Sequence, residues 1–292
     1  MFSGGFFLNP EISKRFFMIQ KTCFLIFSVL ALIIFSSAAY ANGGLFFAPT
    51  RVNLSDKNPV SEIRVTNTSS IAKAYTLELH DMVMTEEGKT ARVDSFDYSA
   101  KRMIRFVPRQ FDLQPGQKQT IRLMSRIPSE TPDGEFHTHM EFLENVSRRQ
   151  ILNQEEGVDS RAKMMGEVSY ATSIPLTLSK GDIVTNLDIT DLALQRDEKG
   201  KPSLSMVVRR SGNGQGNALI ETDYIAPDGT VTKAGVRRKV YVYREIDARN
   251  HSFVLELLEG VTLQKGGMIK LRLFNKDKSE KDPVRELTLA VN

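Results

Sequence analysis

From Leu45 onward, apolar and polar positions alternate in short runs broken by turn residues, with little helical periodicity. The alternation predicts strands at Phe46–Leu54, Ser61–Asn67, Lys73–His80, Gln119–Met124 and Glu135–Leu143. In the third of these Tyr75, Leu77 and Leu79 share a face, and in the last Phe136, Thr138, Met140 and Phe142 do. Met103–Pro108 reads as an edge strand ended by its proline, which has no N–H to give a ladder. Residues Glu144–Arg161 read as a polar loop. The longest alternating run follows it. There Met164, Gly166, Val168, Tyr170, Thr172, Ile174 and Leu176 lie on one face, and Glu167, Ser169, Ala171 and Ser173 on the other. Ser179–Asp182 then reads as a hinge. Seven or so strands at this turn-punctuated spacing predict an immunoglobulin-like sandwich.

The second half repeats the style. Ile183–Ile189, Ser203–Arg209, Ala218–Tyr224, Arg238–Tyr243, Ser252–Leu258, Met268–Phe274 and Glu286–Val291 read as strands. Asp228-Gly229 and Gly266-Gly267 are turn signals. The expected fold class is therefore all-β, two immunoglobulin-like β-sandwiches joined at an angle. The expected division is 42–179 for the first domain and 180–292 for the second.

The chain before Leu45 has a different character. Lys14, Arg15 and Lys21 precede a nearly uninterrupted apolar run, Cys23–Phe35, and Ser36–Ala41 carries the small-x-small pattern of a secretory cleavage site. The run is too short and wrongly flanked for a stable transmembrane helix. Residues 1–41 are thus expected to be a signal peptide cleaved after Ala41, with Met1 or Met18 as the start, and the protein is expected to be exported. Removing them removes Cys23, the single cysteine of the chain. The mature chain must then hold together through its cores, without a disulfide. Residues 1–41 hold three of the 39 basic and one of the 35 acidic residues, so what remains is close to neutral. That balance gives no electrostatic case for nucleic acid or for a membrane surface.

Candidate chemistry is sparse. His137 and His139 share a strand face and could form half a metal site, but no third ligand is evident, and no metal is expected. Gly212–Gly216 follows a strand without a helix after it, so it reads as a flexible hairpin loop rather than a phosphate cradle. Asp81, Glu86, Glu87 and Asp94 lie in polar sequence and read as solvated charges. No serine sits in a Gly-x-Ser-x-Gly elbow. Neither catalysis nor a cofactor is indicated.

Three segments, in order and spacing, resemble the periplasmic pilus-assembly chaperones of the PapD-like type. They are Ala48-Pro49-Thr50-Arg51-Val52, the run Val107–Leu123 with its proline, proline-glycine and arginine pattern, and Asp133–Met140. The resemblance implies donation of an edge strand, here Met164–Leu176, to pilus or fimbrial subunits that lack one of their own. It implies Arg51, Met164, Gly166, Val168, Tyr170, Thr172 and Ile174 as subunit-binding residues, with Val168 and Tyr170 as the main plugs. It also implies an outer-membrane usher as a second partner, and membrane contact only through that usher. Arg51 would grip the subunit's C-terminal carboxylate together with a lysine late in the donor strand. This chain departs from that pattern. Pro175 aligns with the lysine, and the nearest following cation is Lys180, which leaves Arg51 and Lys180 as the possible anchor. The competing readings are a structural or adhesin component of a surface appendage and a periplasmic hydrolase or ligand-binding protein on a β-sandwich. The first predicted strand starts a few residues after Ala41, leaving little N-terminal donor extension, which favours the chaperone over a pilin-like subunit.

Overall fold

The computed structural model describes residues 44–152 and 171–291. Its first strands are β1 (Leu45–Ala48), β2 (Val52–Ser55), β3 (Val60–Asn67), β4 (Lys73–Met84) and β5 (Thr90–Val93). β6 (Ile104–Val107), β7 (Gln110–Leu113), β8 (Lys118–Ser125) and β9 (Gly134–Glu144) follow, then a short helix, α1 (Val146–Leu152), and β10 (Ala171–Lys180). One sheet runs β1-β3-β8-β6 and the other β2-β10-β9-β4-β5, with β7 also paired to β4. Setting aside the short β2, β5 and β7, this is the first-second-fifth-fourth against third-sixth-seventh arrangement of an immunoglobulin sandwich. Alternate residues of both sheets, among them Ile63, Leu77, Leu123, Phe142 and Leu176, close a shared core.

The second sandwich comprises β11 (Thr185–Arg196), β12 (Pro202–Gly212), β13 (Gly216–Ile225), β14 (Val231–Lys233) and β15 (Arg238–Val242). It ends with β16 (Ala248–Val254), β17 (Met268–Asn275) and β18 (Arg285–Ala290). Its sheets run β11-β12-β16 and β14-β13-β17-β18, with β15 also paired to β13. Leu204, Val208, Ile220, Tyr224 and Leu271 are among the side chains packed between them.

Several sequence expectations change form. The strand expected at Phe46–Leu54 is two strands in different sheets. β1 pairs antiparallel with β3, and β2 pairs parallel with β10. Pro49, with no N–H, interrupts the ladder, and the chain crosses the sandwich there. The polar loop after Glu144 contains α1, which Asn145 caps: its Oδ1 accepts the Arg148 N–H at 3.0 Å. Asp81 is not solvated. It is 2% exposed and accepts hydrogen bonds from Ser99 Oγ at 2.8 Å and Thr138 Oγ1 at 3.1 Å. Gly212–Gly216 does not close a hairpin, because β12 and β13 belong to different sheets. The strand expected at Ser252–Leu258 begins earlier, at Ala248, where it pairs with Arg209.

Candidate functional site at the junction of the sandwiches

β10 pairs with β9 along its whole length, Ala171–Lys180. On its other side it meets β2 only from Leu176, level with Val52, to Ser179, level with Ser55. Between Ala171 and Pro175 that second edge has no strand beside it among the described residues, and a row of unpaired backbone groups is a template for another chain. Ala171, Thr172 and Ser173 are exposed, whereas Ile174, Leu176 and Leu178 are buried in the core of the first sandwich. Thr172 shares the face of Ile174 but lies beyond the part of the core that covers it. Met164, Gly166, Val168 and Tyr170 lie outside the described residues.

Arg51 directly precedes β2, so the register sets it level with Pro175, where the edge opens. Its guanidinium carbon sits 4.2 Å from the ring centroid of Tyr241 in β15, a residue of the second sandwich. Arg51 Nη1 is buried and has no hydrogen-bond partner. Tyr243, two residues along, is buried as well. Burial pushes its phenol up, while the charge and hydrogen bond of Arg51 pull it back down. Across β10, His139 lies opposite Pro175. Burial, with His137 and Arg51 beside it, holds its imidazole down at about 4.

Lys180 does not share this site. Its Nζ donates to the Ser129 carbonyl at 2.7 Å and to the Thr131 carbonyl. Five residues of strand separate it from the level of Arg51, a span of about 16 Å. The Arg51–Lys180 pairing left open by the sequence is therefore not assembled, because strand geometry keeps the two cations apart.

The sandwiches are tied by groups that sequence periodicity does not expose. His137 Nε2 meets Glu245 Oε2 at 3.0 Å, and Glu245 Oε1 accepts the Met84 N–H at 2.7 Å. Burial alone would raise the Glu245 carboxyl, but His137 and the Met84 N–H outweigh it and the net shift is downward. Arg244 stacks over Tyr98 at 4.2 Å and donates to the Glu135 carbonyl at 3.0 Å. A Cβ on Gly134 would come 2.5 Å from the Arg244 guanidinium, so glycine at 134 is what admits it. The Gly212–Gly216 segment joins here too. Gln215 N–H donates to Glu135 Oε2 at 2.5 Å, and the Asn213 carbonyl accepts the Glu135 N–H at 2.9 Å.

Beneath this junction lies Arg210, whose side chain is 4% exposed. It donates to the carbonyls of Gly212, Gly214, Arg244 and Ile246, and to Asp247 Oδ1. These bonds fix two of the second-sandwich segments that touch the first, Gly212–Gly216 and Arg244–Asp247. His137 and His139 drew attention in the sequence as half a metal site. His137 instead pairs with a carboxylate more than a hundred residues away, and among the described residues no group of three or more His, Cys, Asp or Glu is placed to hold a metal.

No protein-family model and no curated protein sequence matches the chain. Among solved structures it is similar to the YadV chaperone, with 13% identity over 85% of this chain and 99% of that one, at a TM-score of 0.42. It is similar to the class 5 fimbriae chaperone CfaA at 13% identity, covering 85% of this chain and 98% of that one, with a TM-score of 0.41. A third is the CsuC-CsuE chaperone–tip subunit pre-assembly complex of Acinetobacter baumannii, at 10% identity, 84% and 96% coverage and a TM-score of 0.40. Such loose overlap carries no function from those proteins to this chain.

Proposed function

We propose that this chain is a periplasmic chaperone that stabilises pilus or fimbrial subunits by lending them an edge strand and hands them to an outer-membrane usher. The observation that carries the reading is the free edge of β10 over Ala171–Pro175, with a cationic side chain, Arg51, at its inner end. A subunit missing one strand has both an apolar groove and unpaired backbone, and β-augmentation satisfies the two together. In this account Met164, Val168 and Tyr170 enter the groove, Gly166 fills little of it, and Thr172 is the last side chain to reach it. Ile174, 3% exposed in its own core, anchors the strand and sets its register instead of plugging the partner. Arg51 takes the subunit's C-terminal carboxylate. Residues 1–41 are the export signal, and 42–179 and 180–292 are the two modules. No described helix is long and apolar enough to cross a membrane.

The test is purification of the tagged protein from periplasmic extracts, followed by mass spectrometry of what accompanies it. Recovery of a secreted β-rich subunit, lost on Arg51→Ala, supports the reading. Recovery of the chain with no such protein from cells that assemble pili would refute it.

A further inference from the structure

We propose that the second sandwich completes the Arg51 anchor, with the Tyr241 ring holding the guanidinium in place of a second cation on the donor strand. The proposal rests on the reading of Arg51 as a carboxylate anchor and names what makes that anchor work in this chain.

A second cation from β10 is missing at the level of Arg51. Pro175 stands there, and Lys180 is engaged with the carbonyls of Ser129 and Thr131. Something else must hold the guanidinium still. Among the described residues no Asp or Glu is ion-paired with Arg51, and the Tyr241 ring, 4.2 Å from its carbon, covers it instead. Stacking occupies the face of the guanidinium plane and leaves its N–H edge free, whereas an ion pair would consume that edge. One edge group, Nη1, is buried and without an acceptor. An unpartnered buried donor is unfavourable, so an incoming carboxylate is favoured more than it would be at an exposed arginine.

Tyr241 is itself held by the junction. Arg249 Nη1 donates to the Tyr241 carbonyl at 2.6 Å. The Arg249 guanidinium lies against Gly88, in the turn between β4 and β5 of the first sandwich, where a Cβ would come within 2.3 Å of its Nε. Beside it the Asn250 N–H donates to the Glu86 carbonyl at 2.6 Å. The ring that positions Arg51 is therefore in place only while the two sandwiches are docked. By linkage, a bound carboxylate in turn favours the docked arrangement.

The experiment compares a short apolar peptide with a free C-terminal carboxylate against the same peptide amidated, binding each to the purified chain by titration calorimetry. The wild type is expected to prefer the acid roughly tenfold, the effect of one charged hydrogen-bond site. Tyr241→Phe keeps the ring and should keep the preference. Tyr241→Leu should lose most of it, and Gly88→Ala, which displaces Arg249, should weaken it. Tyr241 lies outside the second core and is part-exposed, so the Leu variant should fold, which circular dichroism checks. Arg51→Gln is the control for the anchor. If it abolishes the preference while Tyr241→Leu and Gly88→Ala keep it in full, the anchor stands and the role of the second sandwich is overturned. If Arg51→Gln keeps the preference, the anchor reading itself fails.

Discussion

His137 in β9 and Glu245, between β15 and β16, meet Nε2 to Oε2 at 3.0 Å and tie the first sandwich to the second. Their side chains are 5% and 12% exposed, so this is a buried pair rather than a surface contact. Removing one partner strands the other away from water. Glu245→Ala should destabilise the chain by about 3–5 kcal/mol, and Glu245→Gln, which can still accept the Met84 N–H, by less. Urea denaturation of the variants and the wild type measures both.

The same junction should make the protein acid-labile. The folded-state value of His139 is about 4, as is that of His251, against an ordinary 6.5. Between those values the unfolded chain binds the extra protons. Stability therefore falls as pH falls through that window, by about 1.4 kcal/mol per pH unit for each histidine. Glu245, whose value is lowered on folding, adds a loss in the same direction at still lower pH. Thermal melts from neutral pH to about pH 4 should show a drop in Tm that His139→Gln makes shallower. An unchanged slope in that variant would show that His139 does not titrate as its burial requires.

Arg210 and Asp247 should respond very differently, although they are ion-paired at 2.9 Å. Arg210→Met leaves four backbone carbonyls without their donor and is expected to lower stability by about 3 kcal/mol or more. Asp247 is 88% exposed, so Asp247→Asn should change stability by less than about 1 kcal/mol. Chemical denaturation of the two single variants decides the point. Equal losses would mean that the ion pair, not the carbonyl network, is what matters.

How much of this was legible depends on where each partner lies in the sequence. The inward face of β9 was readable, since Phe136, Thr138, Met140 and Phe142 alternate with a period of two and all are buried. Its other face, with His137 and His139, is also buried, because Tyr243 covers it at ring-centroid distances of 4.6 Å and 6.2 Å. That cover comes from a hundred residues downstream, and no local pattern announces it. Asp81 could have been found. It continues the inward series Tyr75, Leu77, Leu79 once β4 is extended to Met84. The role of Arg210 could not, because its acceptors are backbone carbonyls, which every residue carries. Arg51 was singled out by its surroundings in the sequence, but its contact with Tyr241 emerges only when both sandwiches are assembled.

Arg51→Ala should spare the fold while weakening capture. The residue is half-buried outside the core cluster, with no ion pair among the described residues, so its loss should lower stability by less than about 1 kcal/mol. Loss of a carboxylate clamp should weaken subunit binding by about 1.5–3 kcal/mol. Melting temperature and subunit co-purification, measured on the same preparation, separate the two. An early-melting variant would make Arg51 structural.

Strand donation by the segment that precedes β10 is tested by subunit recovery from periplasmic extracts. The variants are Val168→Asp, Tyr170→Asp and Ser169→Asp, each first checked for folding by circular dichroism. In the proposed complex Val168 and Tyr170 would enter the subunit's groove, where an unpaired carboxylate is strongly unfavourable and the native side chain's burial, about 1.5–3 kcal/mol, would be forfeited. Ser169 points the other way if the period of two continues from β10. The aspartates at 168 and 170 are expected to abolish recovery, while the one at 169 should largely preserve it. Full recovery with all three variants would contradict strand donation by this segment.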